Sequence, residues 1–462
     1  MGIRSYRRRL FFFALWALAA GGLAGMAAPC RAALAYEIEQ TLYSFCAQSN
    51  CVDGQNPAGP LVRDSAGNLY GMTSDGGTGN VGTVFELTAI AGGWTETVLY
   101  SFCTQGNCGD GYYPSGGLLL DQAGNLYGTT SDGGAHGGGT VFKLTPNQSQ
   151  TVWTHTVLYS FCAQSNCADG AQPSAGVIMD RGGNLYGTTG NGGAHTVGTV
   201  FKLSRNTNWA ETVLYSFCSV SNCTDGFNPY APLVTDGVNL YGTTYAGGGA
   251  GAGTVFQILL QGSQTQERVL YNFCSQANCA DGAFPDAGLV FDTTGYHLYG
   301  TTSQGGRGRN GAVFVLNSTP SGVTEEVLYS FCSQSNCADG ELPESALVLD
   351  AAGNLYGTTS AGGAGGHGGG GTVFELSPNQ TRTTWQETTL YAFCTQSNCP
   401  DGFTPQGGLV MDVSGSLYGT TLTEGAHGYS GTVFAVRPGM LVVHAPVSTS
   451  LGSVPGTAAL SR

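Results

Sequence analysis

Lysine is almost missing from this chain: it occurs only as Lys143 and Lys202, and charged residues of all kinds make up 10%. So few cations against 30 Asp plus Glu leave a surface that repels phosphate backbones, which argues against nucleic acid and anionic lipid as partners. Beyond residue 35 no apolar run approaches the ~20 residues a spanning helix needs, and no stretch has helical periodicity. Gly-Lys-Ser/Thr is absent, and the glycine loops precede strands rather than helices, so they are not phosphate loops. No Ser or Cys with a His and an acid stands apart as a unique catalytic centre. Glycine is abundant at 75 residues, a load that could mean disorder. However, 41% hydrophobic residues and 43 Phe plus Tyr are far more than a chain without a core would carry.

The first 35 residues read as a signal peptide, to be cleaved after Ala35. Arg4, Arg7, Arg8 and Arg9 precede an apolar run from Leu10 to Leu18, and Ala33-Leu34-Ala35 is a small-x-small site. Without this segment Lys plus Arg falls from 16 to 11 against 30 acids, taking the net charge from −14 to −19. Cys30 leaves with it, and the other 14 cysteines form seven pairs of identical spacing.

The remainder is repetitive, and the repeat decides the fold. Leu-Tyr-Ser-Phe-Cys, with single-letter changes, begins at Leu42, Leu99, Leu158, Leu214, Leu270, Leu328 and Leu390. After each come Cys-x4-Cys-x-Asp-Gly, an apolar run ending in Asp, Asn-Leu-Tyr-Gly-Thr-Thr, a glycine-rich loop and Gly-Thr-Val-Phe. The apolar parts are short, rich in Val, Thr, Tyr and Phe, and bounded by Gly, Asn, Asp or Pro, as strands are.

Four strands in nearly 60 residues make one propeller blade, and seven blades close a ring with no open edge. The fold class expected is therefore an all-β, seven-bladed β-propeller spanning residues 36–436, followed by a poorly ordered tail at 437–462. Residues 38–45 carry a fourth-strand signature before any first strand, and the last repeat stops after its third strand at 431–436. The N-terminal strand should complete the seventh blade. Four aromatics per repeat, such as Tyr43, Phe45, Tyr70 and Phe85, are read as packing between blades. The Asp-x-x-Gly-Asn steps are read as turns joining strands one and two.

The signature Asn-Leu-Tyr-Gly-Thr-Thr, Gly-Gly and Gly-Thr-Val-Phe at residues 125–130, 133–134 and 139–142 resembles the GloVer tandem repeat of exported bacterial proteins. The resemblance covers residues 42 to 436 in seven consecutive copies and implies a secreted or surface propeller. It carries no activity with it. The chain departs from the family's surface-anchoring endings, since residues 437–462 hold neither a long apolar segment nor a basic tail, and the cysteine pairs look like an addition to the usual repeat.

The pairs Cys46/Cys51, Cys103/Cys108, Cys162/Cys167, Cys218/Cys223, Cys274/Cys279, Cys332/Cys337 and Cys394/Cys399 lie in the loops between blades. Each loop offers two sulfurs where zinc needs four ligands, so local disulfides are expected and no metal. The Asp of each Asp-Gly, from Asp53 to Asp401, reads as a turn cap rather than a calcium ligand. His136, His195, His367 and His427 read as solvated loop residues. Strand parity places the cysteine and glycine loops on one face, where any site should lie. What breaks symmetry there is the pair of positions after Asp-Gly, with Tyr112, Tyr113, Phe227, Phe284 and Phe403, and the basic glycine loop of blade five with Arg307 and Arg309. These seven are the candidate binding residues.

The function expected is a secreted, periplasmic or cell-surface recognition or scaffold module without catalysis or cofactor. It would be a monomer, binding a glycan or a surface protein. Two alternatives stand beside it: a passive spacer, and an extracellular enzyme such as a glycan lyase or lactonase with its site in the central channel. The first strands end in Arg63, Leu120, Met179, Thr235, Phe291, Leu349 and Met411, a largely apolar series that weighs against the enzyme.

Overall fold

The computed structural model describes residues 36–104, 106–260, 265–363 and 369–438. The expected signal peptide, the tail from residue 439 and His367 lie outside the described residues. The chain forms seven four-stranded antiparallel sheets. Blade one comprises Gln55–Arg63, Leu69–Asp75, Thr83–Ile90 and Gly93–Ser101, hydrogen-bonded in chain order. Blades two to six repeat that order, and blade seven takes Val410–Met411, Leu417–Thr421 and Thr432–Pro438. Its fourth strand is Tyr36–Ser44 from the other end of the chain, paired Gln40 to Ala435 and Ser44 to Thr432. The molecule is a seven-bladed β-propeller closed in the way the sequence implies. Among the described residues, helix is confined to three-residue 3₁₀ turns, and no helix is long and apolar enough to cross a membrane.

Seven hydrophobic clusters hold the ring, and each straddles a blade boundary. The cluster between blades seven and one joins Phe45, Tyr418 and Val433 to Leu61, Leu69 and Phe85. Phe45 meets Phe85 edge-on at 5.0 Å between centroids, and the same contact recurs to Phe393–Phe434 at 4.9 Å. Such pairs add about 0.5–1.5 kcal/mol beyond the area they bury. A bulge between strands three and four, as between Val84 and Phe85, recurs around the ring and raises the local twist.

The Phe of Gly-Thr-Val-Phe explains the Gly of Leu-Tyr-Gly-Thr-Thr. A Cβ on Gly71 would lie 2.5 Å from Phe85 Cζ, and one on Gly187 would lie 2.6 Å from Phe201 Cζ. The glycine is there because a ring lies on the backbone. The second Thr of the motif bonds the Thr of the next strand, as in Thr73 Oγ1 to Thr83 Oγ1 at 2.8 Å. The turns between strands one and two form as read: Asp180 Oδ1 accepts from the Gly182 and Asn184 N–H groups, and Oδ2 from the Asn184 amide and the Tyr186 hydroxyl.

Candidate functional site

All seven cysteine pairs are disulfides closed within their own loops, each spanning five positions: Cys46–Cys51, Cys103–Cys108, Cys162–Cys167, Cys218–Cys223, Cys274–Cys279, Cys332–Cys337 and Cys394–Cys399. Such a cross-link belongs to an oxidising environment. The backbone between the sulfurs differs from the plain loop expected. Cys51, Cys108, Cys167, Cys223, Cys279 and Cys337 each end a 3₁₀ turn, while Cys399 stands in a turn without one. All seven take left-handed φ, including Cys167 at 52°, Cys223 at 51°, Cys279 at 54° and Cys399 at 42°. The reason is the carbonyl each of them carries. Cys167 O accepts from Gly170 and Gly193 N–H, Cys223 O from Gly226 and Gly248, and Cys279 O from Gly282 and Gly306. One of each pair of donors is the Gly of Asp-Gly and the other lies in the glycine loop, so the second cysteine ties the two loops together on one face. Cys399 O accepts from Gly402 in the same way. A period of three over three residues is too short to mark such a turn in the sequence.

The Asp that follows is buried and works as a cap. Asp53 Oδ2 accepts from the Tyr43 hydroxyl at 2.8 Å and the Ala47 N–H at 2.9 Å, and Oδ1 from the Gln48 N–H. The Tyr–Asp bond recurs at 2.8–2.9 Å in the other six loops. These carboxylates are committed to holding the loops.

The expected binding residues sit on this face but do not form one set. Tyr112 and Tyr113 make an edge-on pair at 5.0 Å on blade two, with Tyr113 42% exposed. Phe284 lies 5.1 Å from Tyr245, while Phe227 packs against the core between blades three and four. Among the described residues no ring contact joins Phe227 or Phe403 to another of the five. Tyr113 and Phe284 both take left-handed φ, 53° and 57°, because their N–H groups turn back to Val81 O and Ala252 O of the preceding blade. Arg307 and Arg309 are exposed, and Arg307 borders a cavity of about 670 Å³ that Glu325, Glu326 and Tyr329 also line. His136, His195 and His427 are exposed on separate loops. Among the described residues the one grouping with metal-ligand character is Cys332, Cys337 and Glu341. Its two sulfurs are joined in a disulfide and offer no thiolate.

The more informative position is one the sequence reading passed over. In each repeat a proline (Pro57, Pro114, Pro173, Pro229, Pro285, Pro343, Pro405) lies in the first strand or in the segment leading into it, and the residue after it is Ala58, Ser115, Ser174, Tyr230, Asp286, Glu344 or Gln406. First strands are innermost, and neighbours nearly touch: a Cβ on Gly116 would lie 2.4 Å from Gly176 N, and one on Gly407 would lie 2.5 Å from Gly59 O. The residues after the prolines therefore encircle the axis on the cysteine-loop face. The apolar series that weighed against an enzyme stands five residues further along the chain in every repeat, where the first strands end.

Three of these seven are small, and the rest make a site. The Tyr230 ring lies over Gly190, where a Cβ would come 2.5 Å from Cε1, and is 38% exposed. Tyr230 is 6.1 Å from Tyr245, which continues to Phe284, so three rings run across blades four and five. Beside them Asp286 is half-buried, with Oδ1 shut off from solvent and unpartnered. Burial, then the charge of Glu344, pushes its carboxyl up to about 7. Glu344 in turn accepts a hydrogen bond from Gln406 Nε2 at 2.6 Å. The arrangement offers an apolar wall, a carboxyl that keeps its proton near neutrality, and further polar groups on the next two blades.

A family model described as the Gloeobacter/Verrucomicrobia repeat matches residues 32–256, 212–368 and 251–461. The chain belongs to that repeat family. Within this Gloeobacter/Verrucomicrobia repeat protein the seven copies share the scaffold letters, and the residues after the prolines are among the positions where they differ. Comparison with curated proteins gives no match. Among solved structures, a Bacteroides uniformis protein assigned as a 6-phosphogluconolactonase is 14% identical, with 74% of this chain and 85% of that one covered and a TM-score of 0.45. A puromycin-hydrolysing peptidase of Mycobacterium tuberculosis is 11% identical, covering 88% of this chain and 55% of that one at 0.49. A Thermus thermophilus protein assigned as an oxidoreductase (glucose dehydrogenase) is 14% identical, covering 86% and 99% at 0.42. At such identity and overlap none of the three bears on the chemistry of this repeat protein.

Proposed function

We propose that the protein is an exported, monomeric recognition propeller that binds a neutral or weakly charged glycan at the axial end of its cysteine-loop face, without catalysis. The observation that carries this reading is the run Tyr230–Tyr245–Phe284 beside Asp286, Glu344 and Gln406. Aromatic faces pack against the C–H faces of a sugar ring, and a polar set at the edge takes its hydroxyls, the usual division of labour in a ligand site. Of the residues expected from sequence, Phe284 belongs to this run. Tyr112, Tyr113, Phe227, Phe403, Arg307 and Arg309 are proposed as flanking contacts. Export is proposed from the N-terminal segment with its site after Ala35, supported by the seven disulfides, and N-terminal sequencing of exported protein checks it.

Glycan-array binding tests the reading. A Tyr230→Ala/Phe284→Ala variant is expected to bind the wild type's glycan at least about tenfold more weakly, ~1.4 kcal/mol. Undiminished binding by a correctly folded variant, or a wild type that binds nothing, refutes it. A second reading, a glycan-cleaving enzyme at the same place, draws on Asp286, which burial pushes up to about 7 beside a second carboxyl, since acid–base chemistry needs a group that titrates near neutrality. It requires array glycans to be shortened by wild type but not by Asp286→Asn.

A further inference from the structure

The face opposite the cysteine loops carries a feature the glycan reading does not use. Between blades two and three a groove of about 530 Å³, a common size for a ligand site, is bordered by Lys143, Arg181 and Arg205. These are three of only eleven Lys and Arg beyond residue 35. They come from three elements: the third strand of blade two, Thr140–Pro146; the turn after Asp180 in blade three; and the 3₁₀ turn Arg205–Thr207.

The cations are positioned but not neutralised. Lys143 Nζ stands 5.6 Å from the centre of the Tyr127 ring, itself 6.4 Å from Trp209, which also lines the groove. The Arg205 N–H donates to Asn184 Oδ1 at 3.2 Å, laying its stem over Gly183, where a Cβ would come 2.9 Å from Arg205 Cδ. Among the described residues no side-chain hydrogen bond or ion pair takes up any of the three charges. Two carboxylates share the groove, and both are saturated by their own turns. Asp180 accepts four bonds, and Asp121 accepts from Ala123, Asn125 and the Tyr127 hydroxyl. Burial opposes the charge on each, and those hydrogen bonds outweigh it and hold both below the usual carboxylate value.

Repeat symmetry sharpens the point. The Lys143 position faces the motif Tyr in every blade, and the Arg181 position follows the turn Asp of the next blade. Both are cationic only at this boundary. At the other six at least one is neutral or acidic, as in the pairs Glu86–Gln122 and Lys202–Gly237.

We infer that this groove is a second binding site, for a saccharide bearing carboxylate or sulfate groups. Free cations supply the charge complement, and the partly exposed Trp209, backed by the buried Tyr127, supplies the aromatic surface a sugar ring packs on. The protein's net negative charge does not cancel this. At physiological ionic strength fields die within about 8 Å, so the groove's own side chains decide contact, and binding must weaken with salt.

The test titrates the full-length exported protein by calorimetry with tetragalacturonate, a heparin-derived tetrasaccharide and neutral maltotetraose. Binding of either anionic probe, at least fivefold weaker in 300 mM than in 50 mM NaCl, is expected, with maltotetraose inert. Which anionic probe binds tells carboxylate from sulfate recognition. Lys143→Gln/Arg181→Gln/Arg205→Gln should lose at least tenfold in affinity with its melting temperature unchanged. Lys143→Arg/Arg181→Lys/Arg205→Lys should keep most of it, and Tyr230→Ala/Phe284→Ala should bind as wild type, which separates this groove from the axial site. The inference is overturned if neither anionic probe binds, if maltotetraose binds as well as they do, or if the triple Gln variant binds undiminished.

Discussion

Thr302 shows how tightly each letter of the repeat is tied to a partner. In six blades the second Thr of the motif bonds a Thr on the next strand, but blade five has Ala312 there, and Thr302 Oγ1 is left buried with no partner. Ala312→Thr is therefore expected to stabilise the protein by about 1 kcal/mol, the net value of a typical hydrogen bond. A thermal-denaturation midpoint that falls instead would mean the site has relaxed around the alanine. Conversely, Gly187→Ala must displace the Phe201 ring and should cost about 1–3 kcal/mol, as overpacking does. At this scale the sequence displayed the recurring letters of the repeat but not their reasons, because the ring over Gly187 comes from the neighbouring strand.

At the scale of elements, the closing strand is the critical one. Without Tyr36–Ser44, Thr432–Pro438 becomes an open edge and the cluster around Phe45 and Phe85 loses one side. Deleting residues 36–44 should lower the melting temperature far more than deleting 439–462, and equal midpoints would contradict closure by this strand. The disulfides contribute differently. Each closes a six-residue loop, worth about 2 kcal/mol in the chain-entropy model, and steadies a loop already capped by Tyr and Asp. Both features were legible from order and spacing, since local strand pairing and local cross-links leave periodic traces. The left-handed backbone at Cys167, Cys223 and Cys279 was not, because it is set by glycine N–H groups that reach the carbonyl from two separate loops.

The whole molecule carries a titrating belt. Four residues before the loop Tyr, on the fourth strands, stand Glu39, Glu96, Glu211, Glu267, Glu325 and Glu387, with His155 in the seventh place. Each faces the capping Asp of a neighbouring cysteine loop, as Glu96 faces Asp53 and Glu267 faces Asp225. Burial is the chief cause that lifts them, Glu96 and Glu267 to about 8 and the other four to about 7. The folded state thus holds these protons more tightly than the unfolded chain, whose Glu titrates near 4.5, so stability falls as pH rises from about 4.5 through 8. His155 acts oppositely. Stacked on Tyr100 at 4.3 Å and pushed down to about 4 by burial, it loses its contribution as pH falls from 6.5 through 4. Maximum stability is expected in mildly acidic solution, with the melting temperature several degrees higher at pH 5 than at pH 8.5. Glu96→Gln/Glu267→Gln should narrow that gap, and a midpoint that rises toward pH 8.5 would refute the assignment.

The repeat count, the strand content, the borrowed closing strand and the pairing of the cysteines followed from the sequence alone, because each depends on a pattern that recurs or on residues five apart. The axial site did not. Tyr230, Asp286, Glu344 and Gln406 are single letters at one variable position, separated by 56, 58 and 62 residues, and no local pattern marks them. Lys143, Arg181 and Arg205 are likewise scattered through two repeats. Closure of the ring turns a spacing of one repeat into adjacency between neighbouring blades, and the burial that follows raises Asp286 and leaves its Oδ1 unpartnered. Proximity between blades and the loss of water around a carboxyl are properties of the packed ring, and only the tertiary structure could decide them.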